Sequence, residues 1–286
     1  MTAQTENRLL VVAVPGGRVI RAVPVPGDPS YVDATDRVVV VVSTDSGTVT
    51  LLDRRTLRVI KVLRGFASPH IPAISPDGRY AYITDDGSGE LAVIRLDDDT
   101  LLSRVYVGAG AHHLAFSPDE RRVWVALGQS AQMLTVLSTV NPGHPRVIGY
   151  IHPPFLAHDL LFTPGGDVAW VTSANSPDVG VFDVRTGSLR FRIPAGAPPQ
   201  HLAFWGGYAY ITSGYGSSIE RVDLDTGKVI RRVHAPYGSF DLDVGGGYVV
   251  TASLLGGTLA IYNDQLRLLR VAQLAPSTED VALSAP

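Results

Sequence analysis

His70, His112 and His158 each stand second in a short apolar segment, and the three segments are alike: Pro69-His-Ile-Pro-Ala-Ile-Ser75, Ala111-His-His-Leu-Ala-Phe-Ser117 and Ala157-His-Asp-Leu-Leu-Phe-Thr163. Neutral imidazole is a good ligand for Zn²⁺, Cu²⁺, Fe²⁺ or Ni²⁺, and three protein ligands with one open position is the usual arrangement of a catalytic zinc. These three are therefore the expected metal ligands. Four further segments align with them, and their second residues are Ser30, Gln200, Phe240 and Glu279. Glu279 is the expected acid or base for a metal-bound water, while Ser30 and Gln200 are expected to hydrogen-bond a ligand. His113 and His201 stand one position further on, where they either turn into sheet packing or shift the register of the site toward a ligand. Asp159, Asp241 and Asp280 share that next position as acceptors behind the histidines. Tyr31, Phe66, Tyr215, Tyr237 and Phe155, the last in the His152-Pro-Pro-Phe155 run entering the segment of His158, are loop or rim aromatics, expected to pack or to line a pocket for an apolar ligand. The same histidines also have a purely structural account, in which repetition of the segment places them to cap a rim or bond a neighbouring carbonyl.

What brings such distant residues together is the repeat that carries them. From Ser30 to Glu279 the successive gaps are 40, 42, 46, 42, 40 and 39 residues. Within the unit that begins at His70, four runs rich in Val, Ile, Tyr and Leu are separated by turn signals: Ser75-Pro-Asp-Gly78, Asp85-Asp-Gly-Ser-Gly89 and Asp97-Asp-Asp99. Four short antiparallel strands every 40 or so residues are the sequence form of a propeller blade. The fold expected is all-β, a seven-bladed β-propeller of four-stranded antiparallel blades, with residues 1–286 forming one domain. First strands line the axis of a propeller, so the second residues of the seven segments converge on one rim. The ring closes through a composite blade, in which the strands at Arg8–Val14 and Arg18–Val25 join a C-terminal first strand at Glu279–Ser284. That blade lacks a second strand, and residues around Thr2–Thr5 are expected to supply it and restore antiparallel order.

The blade text resembles the YVTN-type β-propeller repeat family. The Tyr-Val-Thr-Asn run appears in degenerate form as Ala81-Tyr-Ile-Thr84, Ala169-Trp-Val-Thr172 and Ala209-Tyr-Ile-Thr212. The Ser-Pro-Asp runs at Ser75 and Ser117 and the stretch Val222-Asp-Leu-Asp-Thr-Gly-Lys-Val-Ile230 are similar to further family text. The resemblance implies the propeller architecture and leaves function open. The family includes surface-layer proteins, and related propellers form the haem d1 domains of nitrite reductase and the phosphogluconolactonases. The chain carries no covalent haem motif and no lactonase signature.

Composition narrows the remaining classes. With 24 Lys and Arg against 27 Asp and Glu, the formal charge of −3 offers no field for nucleic acid or anionic lipid. Cysteine is absent, which excludes disulfides, thiolate metal sites and cysteine nucleophiles. No apolar run is long enough to span a membrane. Residues 1–7 lack a basic segment followed by an apolar one, so a cytoplasmic location is expected; a trimmed periplasmic or extracellular form would read the same. A monomer is expected, with a small molecule or protein segment as partner at the channel rim. Two functions stay open: a binding propeller with a histidine-rich pocket for a small ligand or metal, and a metal-dependent hydrolase, lyase or oxidoreductase.

Overall fold

The structure is a computed structural model that describes residues 1–128 and 130–284. Six sheets of four antiparallel strands follow one another along the chain, over residues 29–64, 69–106, 114–151, 157–194, 202–234 and 239–273 (blades 1 to 6), and the chain ends build blade 7. The seven-bladed ring expected from the repeat is present. In blade 2 the strands are Pro69–Ile74, Tyr80–Asp85, Glu90–Arg95 and Thr100–Tyr106, paired in sequence order from first to last. The second strand of blade 1, Val38–Ser43, is buried at every residue, because neighbouring blades cover both of its faces. The fourth strands are largely exposed and keep their charged residues outward, as in Val59–Arg64 and Val229–His234. In all seven blades the register slips by one residue between the third and fourth strands, for example at Val93/Ile94, a bulge that adds twist to the outer edge. Among the described residues no helix is long and apolar enough to cross a membrane.

Blade 7 matches the expectation in part. Thr2–Ala3 forms a short strand antiparallel to Arg8–Ala13, which pairs in turn with Arg18–Pro24. Thr5 lies outside it, in a 3₁₀ turn over Gln4–Glu6, the one helical element among the described residues. The expected C-terminal strand Glu279–Ser284 does not form as a regular ladder. A two-residue partner offers little to pair with, and the segment is held by one backbone bond, Thr2 N–H to Asp280 O at 3.0 Å, plus side chains.

Those side chains are one case of a device used around the ring. Thr84 Oγ1 donates to His112 O at 2.6 Å, Thr172 to Gln200 O at 2.7 Å and Thr2 to Ser30 O at 2.9 Å, and Thr212 donates likewise to Phe240 O. Each of these links spans 28 residues and joins the second strand of one blade to the first strand of the next. The same hydroxyls accept an N–H from the first strand of their own blade: Ile71 at 2.9 Å, Asp159 at 2.9 Å, His201 at 3.2 Å and Asp280 at 3.0 Å. The carbonyls they hold belong to the rim positions picked out by the repeat, so those side chains start from a pinned backbone.

Thr2 is thus expected to stabilise the closure as Thr212 stabilises its own blade joint. Replacing either by Val leaves a buried N–H and a buried carbonyl without partners, a cost of about 1–3 kcal/mol. Urea unfolding of Thr2→Val and Thr212→Val is expected to give similar losses in that range. A Thr2→Val protein as stable as the parent would show that the closure does not depend on this link.

Candidate functional site

The first strands of blades 2 and 4 and the residues leading into those of blades 3 and 5 bring five imidazoles together. The His70 and His112 rings stack with centroids 3.9 Å apart and planes 20° from parallel. His113 lies 4.8 Å from His112, 5.0 Å from His158 and 4.5 Å from His201. Gly128, at φ +54°, lets the His112 ring lie against the backbone, since a Cβ there would stand 3.0 Å from its Cγ. Among the described residues two sets have ligand atoms within 4.8 Å of one another: His70, His112 and His113, and His113, His158 and His201. The trio expected from sequence is split between these sets. His113 and His201 belong to the cluster itself rather than to sheet packing, and His113 is common to both sets.

Ring orientation separates the two sets. A nitrogen lone pair lies in the plane of its ring, so stacked, nearly parallel rings such as His70 and His112 do not aim at one point. His113, His158 and His201 are mutually tilted by 49°, 74° and 87°, an arrangement in which three lone pairs can converge. Carboxylates orient two of these three. His113 Nδ1 is 3.3 Å from Asp159 Oδ1, and His201 Nδ1 is 3.2 Å from Asp241 Oδ1. A neutral ring that donates from Nδ1 keeps its Nε2 lone pair for a ligand, as in metal-bound histidines backed by carboxylates. His113 Nε2 is buried without a partner.

Burial sets the protonation of the cluster. It holds the His70, His113 and His158 pKa values well below the usual imidazole range, with mutual repulsion adding to the effect, and that of His201 at about 3. These four rings are therefore neutral near pH 7. Burial also raises the nearby carboxyls. Asp241 is pushed well above the usual range, with Asp280 beside it, and Glu279 is raised to about 8. Tyr31 lines the cavity together with Glu279, and Glu279 Oε2 is buried without a partner.

A cavity of about 280 Å³ opens beside the cluster, with His112, His158, His201, Gln200, Asp241 and Glu279 among its lining residues. Other expected site residues lie elsewhere. Ser30 is buried and donates to Asp28 O at 3.1 Å, turned away from the cavity by its own turn. Phe155 packs in the core between blades, at 6.2 Å from the Phe182 ring. The Tyr237 ring is 55 % exposed and outside the cavity lining. Tyr31, one of the expected rim aromatics, lines the cavity and meets the His70 ring at 4.3 Å with the planes tilted by 58°; Asp86, which meets His112 Nδ1 at 3.2 Å, is the site residue that sequence reasoning missed. Asp86 lies in the turn between second and third strands, and the rim role of that turn was its only signal.

The sequence matches the model of the cytochrome D1 heme domain family over residues 33–139. No curated protein sequence matches the chain. Among solved structures, a functionally unknown protein from Desulfotomaculum acetoxidans DSM 771 superposes with a TM-score of 0.87 at 13% identity, covering 100% of this chain and 98% of the other. Hydrazine synthase of Kuenenia stuttgartiensis superposes with a TM-score of 0.80 at 18% identity, covering 92% and 91%. At these identities the likeness is one of fold.

The family match raises the question of a haem. A tetrapyrrole needs a flat slot, and here imidazoles packed 3.9 to 5.0 Å apart occupy the axis. The adjoining cavity, about 280 Å³, falls below the roughly 300–1,000 Å³ that holds drug-sized ligands. These residues do not fit a haem.

Glu279 offers a test of the electrostatics. Its folded pKa of about 8 lies above the ordinary 4.5, so the stability it confers is complete below 4.5 and lost as pH rises to about 8. Glu279→Gln keeps the size and polarity of the side chain and abolishes the titration. Across that window the parent is expected to lose about 1.4 kcal/mol per pH unit relative to the variant. Chemical unfolding at several pH values measures the difference, and a pH-independent gap would contradict a protonated Glu279.

Proposed function

We propose that the chain is a binding propeller whose axial cluster takes one divalent transition-metal ion through His113, His158 and His201, with the cavity as its open coordination side. The observation that carries this reading is the mutual tilt of three neutral imidazoles, two of them backed by carboxylates; the other set also holds an orphaned Nε2, on His70, and a carboxylate-backed ring, His112, but its His70 and His112 rings are stacked. Zinc holds imidazole nitrogens at about 2.0–2.1 Å in a tetrahedral array, so each ring has to move inward by about 1 Å from its present position. Depressed pKa values favour this, because no proton competes for the ligand lone pairs at neutral pH. Zn²⁺, Cu²⁺, Fe²⁺ and Ni²⁺ all suit imidazole, with Cu²⁺ bound most tightly among them. His70 and His112 form a stacked pair beside these three rings, with His112 on the cavity wall, and are not assigned as ligands.

The second reading, a metal-dependent hydrolase, lyase or oxidoreductase, has one specific observation in its favour. Glu279 lines the cavity as a neutral acid near pH 7, in reach of any ligand there. Binding without turnover needs fewer assumptions and is the primary reading.

Metal content and affinity of protein purified without a histidine tag test the assignment. His113→Ala and His201→Ala are each expected to weaken zinc binding at least about 100-fold, and Asp159→Asn by about 10–100-fold. His70→Ala is expected to stay within about threefold of the parent. Retention of zinc by His201→Ala together with loss in His70→Ala would assign the ion to the other set. No zinc binding by the parent would end the metal reading.

A further inference from the structure

The cavity has a second wall that the metal reading leaves unused. The lining also includes Tyr215 and Phe240, whose rings meet edge to face at 4.9 Å. Tyr215 is 64 % exposed at the mouth. Gly214 makes this wall possible, because a Cβ there would stand 2.2 Å from a Phe240 ring carbon and 3.0 Å from Gln200 Oε1. With Tyr31, His158 and His201, aromatic rings face the space from several sides. Aromatic pairs in edge-to-face or offset geometry gain more than their buried area alone provides.

Away from the imidazoles and Asp241, two polar groups of this lining, Gln200 and Glu279, present donors. Gln200 spends its carbonyl oxygen on the Gly214 N–H at 2.7 Å, which leaves the amide NH₂ as that side chain's donor. Glu279 is a protonated acid near pH 7 and its Oε2 has no partner. No Lys or Arg lines the cavity, so an anionic ligand finds no side-chain counter-charge there. A volume of about 280 Å³ admits a one-ring molecule and is small for anything larger.

We propose that this cavity selects a compact, uncharged, oxygenated aromatic ring of the phenol class, held edge to face by Phe240 and Tyr215 with its oxygen toward the Gln200 and Glu279 side. The inference names the ligand class of the site proposed above, and it rests on the metal reading only for one wall. The ring contributes shape and π-face contacts that an aliphatic ring of equal size cannot supply, and the oxygen accepts from groups that otherwise have none to serve.

Calorimetric titration of the full chain with phenol and with cyclohexanol, in zinc-loaded and metal-free protein, tests it. The two probes share an oxygen and a six-membered ring and differ in the π-system. Phenol is expected to bind at least about fivefold more tightly in both states. Tyr215→Ala, a change at an exposed side chain, is expected to remove most of that preference, and Gly214→Ala to block phenol by displacing the Phe240 ring. Both variants are expected to leave zinc affinity unchanged. Equal binding of the two probes, or an undiminished preference for phenol in Tyr215→Ala, would overturn the proposal. A preference for phenol in a protein that takes no zinc would instead sink the metal reading and leave this one standing.

Discussion

A first strand in a propeller pairs along one edge only; its other edge faces the axis, where neighbouring first strands splay too far apart to form a ladder. Its N–H and C=O groups on that edge are buried and must find partners. Here side chains supply them. Threonine hydroxyls reach from second strands to carbonyls of the next blade. Carboxylates complete the pattern for N–H groups. Asp33, Asp159, Asp243 and Asp280 each accept from the residue that follows and from an N–H of the next first strand around the ring. The ring closes and the rim residues are aimed because these side chains span the gaps.

The same constraint creates the chemistry. Acids placed on a dry axis to bind backbone N–H groups carry raised pKa values, as at Asp243, which reaches about 7. Asp159 accepts from two N–H groups and also meets His113 Nδ1, so one side chain links blade closure to imidazole orientation. Burial then keeps the imidazoles neutral and their lone pairs available. Structural latch and candidate ligand shell are parts of one network, and perturbing either acts on both.

Fold likeness bears on this network only indirectly. The cytochrome D1 heme domain match ends at residue 139, so it includes His70, His112 and His113 and excludes His158 and His201. One blade scaffold hosts unrelated sites, and what distinguishes this one is its own rings and carboxylates.

Six near-equal gaps and a recurrent turn grammar were enough to read seven blades, a composite closure and the rim positions from the sequence, because blade repetition is a local property written into every unit. The need for an N-terminal strand also followed from strand direction alone. Three matters needed the folded chain. Thr2 showed itself as the counterpart of Thr84, Thr172 and Thr212 only when its bond to Ser30 appeared, since no Tyr-Ile-Thr text surrounds it. Phe155 and Ser30 left the site because packing and turn geometry, not spacing, set where a side chain points. The histidine-rich arc was visible in the repeat, yet which three nitrogens converge depends on ring tilt. A repeat fixes where Cα atoms stand around an axis, whereas the direction of each imidazole is set by neighbours about forty residues away in sequence, Asp159 and Asp241 foremost.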